Sequence, residues 1–224
     1  MAHGNDGYVV EITDLQLKSD RGRPVFSDFV FRLPPGRSAV IAGPPGSGKT
    51  LLAELIMGLR RANGGQVCLF DTDISRRGGF KLNQIRRKIG GIGGIFGLVP
   101  SMTVAENITF PLVINGISRR VRRERLLRML TEFSLLKQAG EYPRSLTRVE
   151  NTMVQFARAT IANQSLVIID EPSAGLDSQT YQRVFDYLIK VALSGRSMLI
   201  LASERPDRQL PNTDFYEIVN GALA

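Results

Sequence analysis

One octapeptide, Gly43-Pro44-Pro45-Gly46-Ser47-Gly48-Lys49-Thr50, satisfies G-x-x-x-x-G-K-[ST] and predicts a phosphate-binding loop. Its glycines let backbone N–H groups surround phosphate oxygens, the lysine reaches the terminal phosphates, and the hydroxyl holds Mg²⁺. The apolar run 39–42 enters the loop like a strand, and residues 51–57 leave it with helical character. A chance match in a Gly/Ser-rich turn is the alternative, and this strand-to-helix setting argues against it.

A second apolar strand ends in two carboxylates. Residues 166–169 read as a buried parallel strand, followed by Asp170 and Glu171. Mg²⁺ bound to terminal phosphates needs an anionic oxygen opposite the loop hydroxyl, so Thr50 and Asp170 are the predicted metal ligands. Glu171 is the predicted catalytic base, because a carboxylate beside the γ-phosphate can activate a water. The competing interpretation is that both acids only cap the strand or the next helix.

The order of segments predicts an α/β fold. Strand and helix patterns alternate, which favours a P-loop NTPase core with a mostly parallel sheet. Residues 9–17 and 29–33 alternate like half-buried strands and predict an N-terminal antiparallel β-subdomain. Residues 119–136 are patterned as a helix, with Leu126, Leu127, Leu130 and Phe133 on one side.

This organisation predicts one domain over residues 1–224. The core would comprise about 1–90 and 160–224. A helical insertion would occupy about 100–158.

Charge is concentrated in one segment. The net charge is +8, and residues 119–128 alone hold six arginines against Glu124. So local an excess argues against a general nucleic-acid-binding surface, and no nucleic-acid partner is expected. Two interpretations of the segment are open, namely a solvated helix face and a face near anionic lipid headgroups.

Several features of the sequence favour a cytoplasmic location for the protein. No apolar run approaches the roughly 18 residues of a membrane span. Residues 1–6 lack the basic and apolar regions of a signal peptide. The only cysteine, Cys68, lies in a strand-like run, where it reads as a small apolar residue.

Taken together, these motifs resemble the ATP-binding subunits of ABC transporters, over about residues 9–219. The loop, the acidic strand, and residues 102–112 and 156–159 occur in the family's order. Residues 172–177 stand in the place of the family's D-loop, which adds Asp177 to the nucleotide-binding residues. The likeness is nearest to the FtsE and lipoprotein-release group and to lipid-transport importers. It implies ATP and Mg²⁺ as cofactors.

Three elements depart from the family pattern. In the signature motif, two glycines are replaced by Arg148 and Val149, which bring bulk where the backbone should approach a partner's γ-phosphate. Arg148 acting as an arginine finger is the alternative. Gly94 stands where the family has the Q-loop glutamine, which contacts Mg²⁺ and the attacking water, and Glu204 stands in place of the switch histidine. These departures predict retained Mg·ATP binding with slow hydrolysis.

The adenine-stacking aromatic of the family is also missing. Ser19 occupies its matched position. Tyr8 and Phe26 are the candidate substitutes.

The resemblance implies a peripheral subunit on the inner face of the cell membrane. It would couple Mg·ATP to a transmembrane permease docked near residues 94–102, as a homodimer or as a heterodimer with a second ATP-binding subunit. A hydrolysis-deficient regulatory module on a membrane complex is the alternative. A soluble ABC-type ATPase acting on DNA or ribosomes is disfavoured, because the chain lacks coiled-coil heptads and a tandem repeat.

Overall fold

Two β-sheets and their covering helices hold the phosphate-binding loop. The computed structural model describes residues 7–75, 80–172 and 176–224. The N-terminal residues 1–6 and residues 173–175 of the predicted D-loop lie outside the described residues. Where the chain is described, no helix is both long and apolar enough to cross a membrane.

The strands of the described residues are β1 (Val10–Lys18), β2 (Pro24–Leu33), β3 (Ser38–Ala42), β4 (Gly64–Leu69), β5 (Thr72–Asp73), β6 (Ile89–Ile92), β7 (Leu166–Asp170), β8 (Ser197–Ala202), β9 (Thr213–Val219) and β10 (Ala222–Leu223). The α-helices are α1 (Lys49–Ile56), α2 (Phe80–Arg86), α3 (Val104–Ile114), α4 (Arg119–Glu132), α5 (Arg148–Thr160) and α6 (Ser178–Leu193).

The two sheets differ in strand direction. The smaller one has the order β2-β1-β4-β5 with antiparallel neighbours. The larger one has the order β10-β9-β3-β8-β7-β6 and is parallel except for the β9–β10 pair. This arrangement confirms the predicted α/β fold with an N-terminal antiparallel sheet and a mostly parallel core.

Strand register brings the two halves of the site to one edge. Ala42 at the end of β3 pairs with Ala202 of β8, and Asp170 at the end of β7 pairs with Leu201 of the same strand. Because the three strands are parallel, their carboxyl ends meet. The phosphate-binding loop therefore begins two strands away from Asp170, the last residue of β7, and from Glu171, which follows it.

The larger sheet is covered by apolar side chains on both faces. Ile41 and Ile168 point into a core shared with the smaller sheet and α1. Val40, Val167 and Ile169 point the other way, into a core shared with α3, α5 and α6. Successive residues of a strand face opposite sides, so a central strand buried on both faces must be apolar along its length. This constraint explains the continuous apolar runs that end in the loop and in the acids.

The arginine-rich helix is shorter than its pattern predicted. The predicted helix ran to residue 136, but α4 ends at Glu132. Ser134 has a φ of 59° and the Leu135 N–H donates to the Leu130 carbonyl, so the chain turns away from the helix axis there. Leu127 was predicted on the apolar side and is instead 59% exposed. The division into a core and an insertion at about 100–158 stays a prediction.

Gly90 of β6 provides a test of how tightly α5 packs on the sheet. A Cβ atom at this position would lie 2.0 Å from the Ala159 carbonyl oxygen of α5. Backbone cannot move as a flexible side chain does, so Gly90→Ala is expected to lower the free energy of unfolding by about 1–3 kcal/mol. The measurement is equilibrium denaturation in urea.

Gly140→Ala is the matched control, because a Cβ there meets no atom within 4 Å. Its effect should stay within about 0.5 kcal/mol. Equal stabilities for the two variants would contradict the packing.

Candidate nucleotide-binding site

The phosphate-binding loop owes its shape to two glycines with positive φ. Gly46 has a φ of 86° and Gly48 a φ of 101°. At Gly48 a Cβ would also lie 2.4 Å from Val25 Cγ1 and 2.8 Å from Phe26 Cζ, so both conformation and space require glycine. Gly48 is the N-cap of α1 and brings the free N–H groups of that helix to the loop. A helix start of this kind favours a phosphate.

Lys49 lies across the loop. Its side chain is only 6% exposed, and Nζ donates hydrogen bonds to the Gly43 carbonyl at 2.6 Å and the Pro44 carbonyl at 3.2 Å. The same nitrogen is 3.4 Å from Glu171 Oε1. A buried ammonium needs such partners, because burial without them is costly. Lys49 therefore joins the loop to the acids at the end of β7.

Asp170 meets the loop through Thr50. Thr50 Oγ1 donates to Asp170 Oδ2 at 3.1 Å. Asp170 is 3% exposed, and its Oδ1 is a buried atom without a hydrogen-bond partner among the described residues. Burial raises the pKa of the Asp170 carboxyl, and the Glu171 charge adds to the rise, whereas the Thr50 hydrogen bond and Lys49 oppose it. A buried carboxylate oxygen without a partner is an unsatisfied demand for positive charge.

These oxygens suit Mg²⁺. The metal prefers oxygen ligands and is usually held by one or two protein oxygens together with substrate phosphates. Across the described residues, no group of three His, Cys, Asp or Glu side chains could hold a metal ion. Thr50 Oγ1 and Asp170 Oδ1 suit Mg²⁺ but are too few to hold it alone. Phosphate oxygens of a nucleotide beside the loop would complete the ligand set.

Glu171 is oriented by a residue that sequence reasoning did not identify. Ser203, directly after β8, donates from its backbone N to Glu171 Oε2 at 3.0 Å and from Oγ to Oε1 at 2.7 Å. Glu171 has a φ of 57°, and its N–H donates to the Leu201 carbonyl at 2.8 Å. Both carboxylate oxygens are thus engaged. The strand that ends at Asp170 was predicted, but a contact between its end and the end of β8 depends on the register of the two strands.

Asp177 serves as a helix cap. Its carboxylate accepts from the Thr180 backbone N at 2.9 Å and from Thr180 Oγ1 at 2.7 Å, at the start of α6. These hydrogen bonds lower the pKa of Asp177. The predicted nucleotide contact of Asp177 stays a prediction.

A cavity of about 480 Å³ opens in front of the acids. Asp170 and Glu171 line it, together with Gly94, Arg148 and Gln155. Arg148 is exposed in the first turn of α5. Gly94 and Arg148, from two of the three elements that depart from the family pattern, therefore line the same cavity as Asp170, the predicted metal ligand.

The first turn of α5 contains a capping box in place of the family's glycines. Thr147 Oγ1 accepts from the Glu150 backbone N, and the Glu150 carboxylate accepts from the Thr147 backbone N at 2.8 Å. The pattern Thr-x-x-Glu is readable in the sequence and was missed. Arg148 and Val149 are thus part of a regular helix start.

One candidate for adenine stacking is excluded. Phe26 is 1% exposed, and its ring packs against Phe29 at 4.6 Å between centroids, beneath the loop. Its proposed role was wrong, because the inward face of β2 buries it. The Tyr8 ring faces the Arg32 guanidinium at 5.6 Å, and its role in stacking stays a prediction.

Comparison with known proteins places this geometry in a family. Residues 26–174 match the model of the family described as ABC transporter. The chain is 30% identical over 178 residues to the cell division ATP-binding protein FtsE of Haemophilus influenzae, covering 80% of this chain and 82% of that protein. It is 39% identical over 151 residues to the methionine import ATP-binding protein MetN 2 of Rhodococcus jostii, covering 67% of this chain but only 44% of the relative.

The fold agrees with a solved ATP-binding cassette. The dimeric post-hydrolysis structure of MJ0796 bound to ADP and Pi superimposes with a TM-score of 0.85 at 24% identity, covering 96% of each chain. The resemblance drawn from the motifs is confirmed. The chain belongs to the ABC transporter family, as an ATP-binding subunit of its ATPase class.

Proposed function

We propose that this chain binds Mg·ATP, hydrolyses it slowly, and couples closure of an ATP-loaded dimer to a transmembrane permease at the inner face of the cell membrane. The observation that carries the proposal is the meeting of loop and acids. Thr50 Oγ1 lies 3.1 Å from Asp170 Oδ2, and Lys49 Nζ lies 3.4 Å from Glu171 Oε1. An intact phosphate loop facing two carboxylates is the arrangement that nucleotide phosphoryl chemistry needs.

Each residue of the site has a definite task in this proposal. The hydrogen bonds to the Gly43 and Pro44 carbonyls hold the Lys49 ammonium at the loop. When nucleotide binds, Lys49 would donate to the terminal phosphates in place of these carbonyls. Thr50 and Asp170 hold the metal through their oxygens. Bound Mg²⁺ would neutralise charge on the phosphate oxygens. Glu171 accepts the proton of the attacking water.

The contacts of Glu171 support slow hydrolysis. A general base needs a lone pair directed at the water. Ser203 donates to both carboxylate oxygens of Glu171 and Lys49 lies beside one of them, so these contacts occupy some of the lone pairs and restrict where the remaining ones point. The same observation favours the second candidate, a regulatory module on a membrane complex that binds nucleotide without powering transport.

Partners follow from the family and from the changed positions. The names of the relatives describe an import ATP-binding protein and a cell division ATP-binding protein. The family description, ABC transporter, supports the pairing with a membrane protein that we propose for this chain. In a homodimer every site would carry Gly94, Arg148 and Glu204. A heterodimer with an intact ATP-binding subunit would divide the changed residues between its two sites.

Replacement of Lys49 tests nucleotide binding. Lys49→Ala removes the ammonium that meets the phosphates, and charge-assisted hydrogen bonds are worth about 1.5–3 kcal/mol, so ATP affinity should fall about 10- to 100-fold. Isothermal titration calorimetry measures it. Lys137→Ala, at an exposed lysine outside the site, is the control and should bind like the wild type. Unchanged affinity in Lys49→Ala would contradict the role of the loop.

Replacement of Glu171 tests slow hydrolysis. We expect the purified chain to turn over less than about one ATP per second, at the low end of ordinary enzyme rates, and Glu171→Gln to abolish that turnover while ATP still binds. Phosphate release and calorimetry measure the two quantities. A purified chain that turns over tens of ATP per second, with the rate lost in Glu171→Gln, would refute slow hydrolysis.

The start of α5 tests dimer closure. If bulk at Arg148 and Val149 hinders approach of a second copy, Glu171→Gln protein with Mg·ATP should stay mostly monomeric in sedimentation velocity. Adding Arg148→Gly and Val149→Gly should shift it towards dimers, because glycine allows close backbone approach.

Arg120→Gly in the same background is the control for this test. It places a glycine in the first turn of α4, outside the cavity. Full dimerisation without the two α5 changes would show that Arg148 and Val149 do not hinder closure.

A further inference from the structure

Gln155 of α5 reaches the edge of the sheet beside the predicted metal ligand. Its Oε1 accepts a hydrogen bond from the Gly93 backbone N at 2.7 Å, directly after β6. Its Nε2 donates to Asn151 Oδ1 at 2.7 Å, one turn earlier in the same helix. Gln155 also lines the cavity with Asp170.

The segment that Gln155 holds lies directly against Asp170. A Cβ on Gly93 would lie 2.0 Å from the Asp170 carbonyl oxygen, and a Cβ on Gly94 would lie 2.1 Å from Asp170 Oδ2. Gly94 has a φ of 40°. A side chain at position 94 would therefore be strained and would require the Asp170 carboxylate to move. The side-chain amide observed at this edge comes from another element, α5.

Two adjacent glycines give this segment little rigidity of its own, because glycine is the least restricted residue. Side chains of α5 provide the restraint instead. Gln155 holds Gly93, and one turn later Arg158 donates to the Phe96 carbonyl and, at 2.9 Å, to the Gly97 carbonyl. Burial lowers the pKa of the Arg158 guanidinium. The position of the glycines relative to Asp170 is thus set by one face of α5.

We propose that Gln155 is a positioning residue for the metal site, which holds Gly93 and Gly94 against Asp170 from α5. The proposal rests on the Mg·ATP binding proposed above. Because Gln155 also donates to Asn151, its side-chain amide connects the glycines beside Asp170 to the first turn of α5, which carries Arg148. Gln155 acts through the backbone of the glycines and not by touching the nucleotide.

Gln155→Met tests the proposal, because methionine keeps the length of the side chain and removes both hydrogen bonds. The probe is a fluorescent ATP analogue, titrated with MgCl₂ at fixed nucleotide and, separately, bound in EDTA. Substitutions that disturb the orientation of metal ligands typically cost 10- to 100-fold in metal affinity. We therefore expect the Mg²⁺ concentration at half-saturation to rise about 10-fold, with the affinity in EDTA unchanged.

A control variant separates this role from the loss of a hydrogen bond elsewhere on α5. Gln138→Met removes one 2.7 Å hydrogen bond to Glu150 outside the cavity and should leave the Mg²⁺ midpoint unchanged. A Gln155→Met midpoint equal to that of the wild type would overturn the proposal.

The wild-type protein gives a test that does not require the variants to fold. At saturating nucleotide, addition of MgCl₂ should slow hydrogen exchange in the peptide that contains Gly93 and Gly94. Unaltered exchange would overturn the role of Gln155. Failure of the wild type to bind the ATP analogue at all would instead refute the proposed function.

Discussion

Parallel pairing of β3, β8 and β7 is the constraint on which the nucleotide site depends. Register places Ala42 beside Ala202, and Leu201 beside Asp170, so the loop, Ser203 and Glu171 begin at one edge. A slip of one residue would turn every side chain of a strand to the opposite face. Both faces of the larger sheet are packed with apolar side chains, so such a slip would break the two cores as well as the site.

Electrostatic balance at this edge follows from that geometry. Asp170 is buried with one oxygen that has no partner in the part of the chain that the structure describes, while Glu171 is supplied with donors by Ser203 and Lys49. Asp170 therefore needs a positive charge nearby more than Glu171 does. A bound cation would be stabilised most at Asp170, because no partner among the described residues compensates the cost of burying its second oxygen. A bound phosphate would be stabilised most at Lys49, because its ammonium is held at the loop. Asp170 and Glu171 are thus suited to different proposed roles at one edge of the sheet, the first as a metal ligand and the second as the base.

Sequence patterns predicted the features that depend on neighbouring residues, and missed those that depend on tertiary contacts. The loop and the acidic strand are continuous motifs, which is why both were found, whereas Ser203 and Gln155 matter only because β8 and α5 lie beside β7 and β6. Phe26 was wrong as a stacking candidate because alternation along β2 turns it into the core. The Thr147-x-x-Glu150 capping box is an exception, because it depends only on neighbouring residues and was nevertheless not predicted.

Helix α5 joins the changed positions mechanically. Arg148, Asn151, Gln155 and Arg158 recur every three or four residues and so share one face of the helix. That face lines the cavity near its start and holds the segment after β6 farther along. A helix with continuous backbone hydrogen bonds moves as a rigid element, so displacement of its first turn by a partner would also displace the glycines packed on Asp170. In the proposed dimer, the hydrogen bonds of Gln155 would therefore connect the first turn of α5 to the glycines beside Asp170, although position 94 has no side chain.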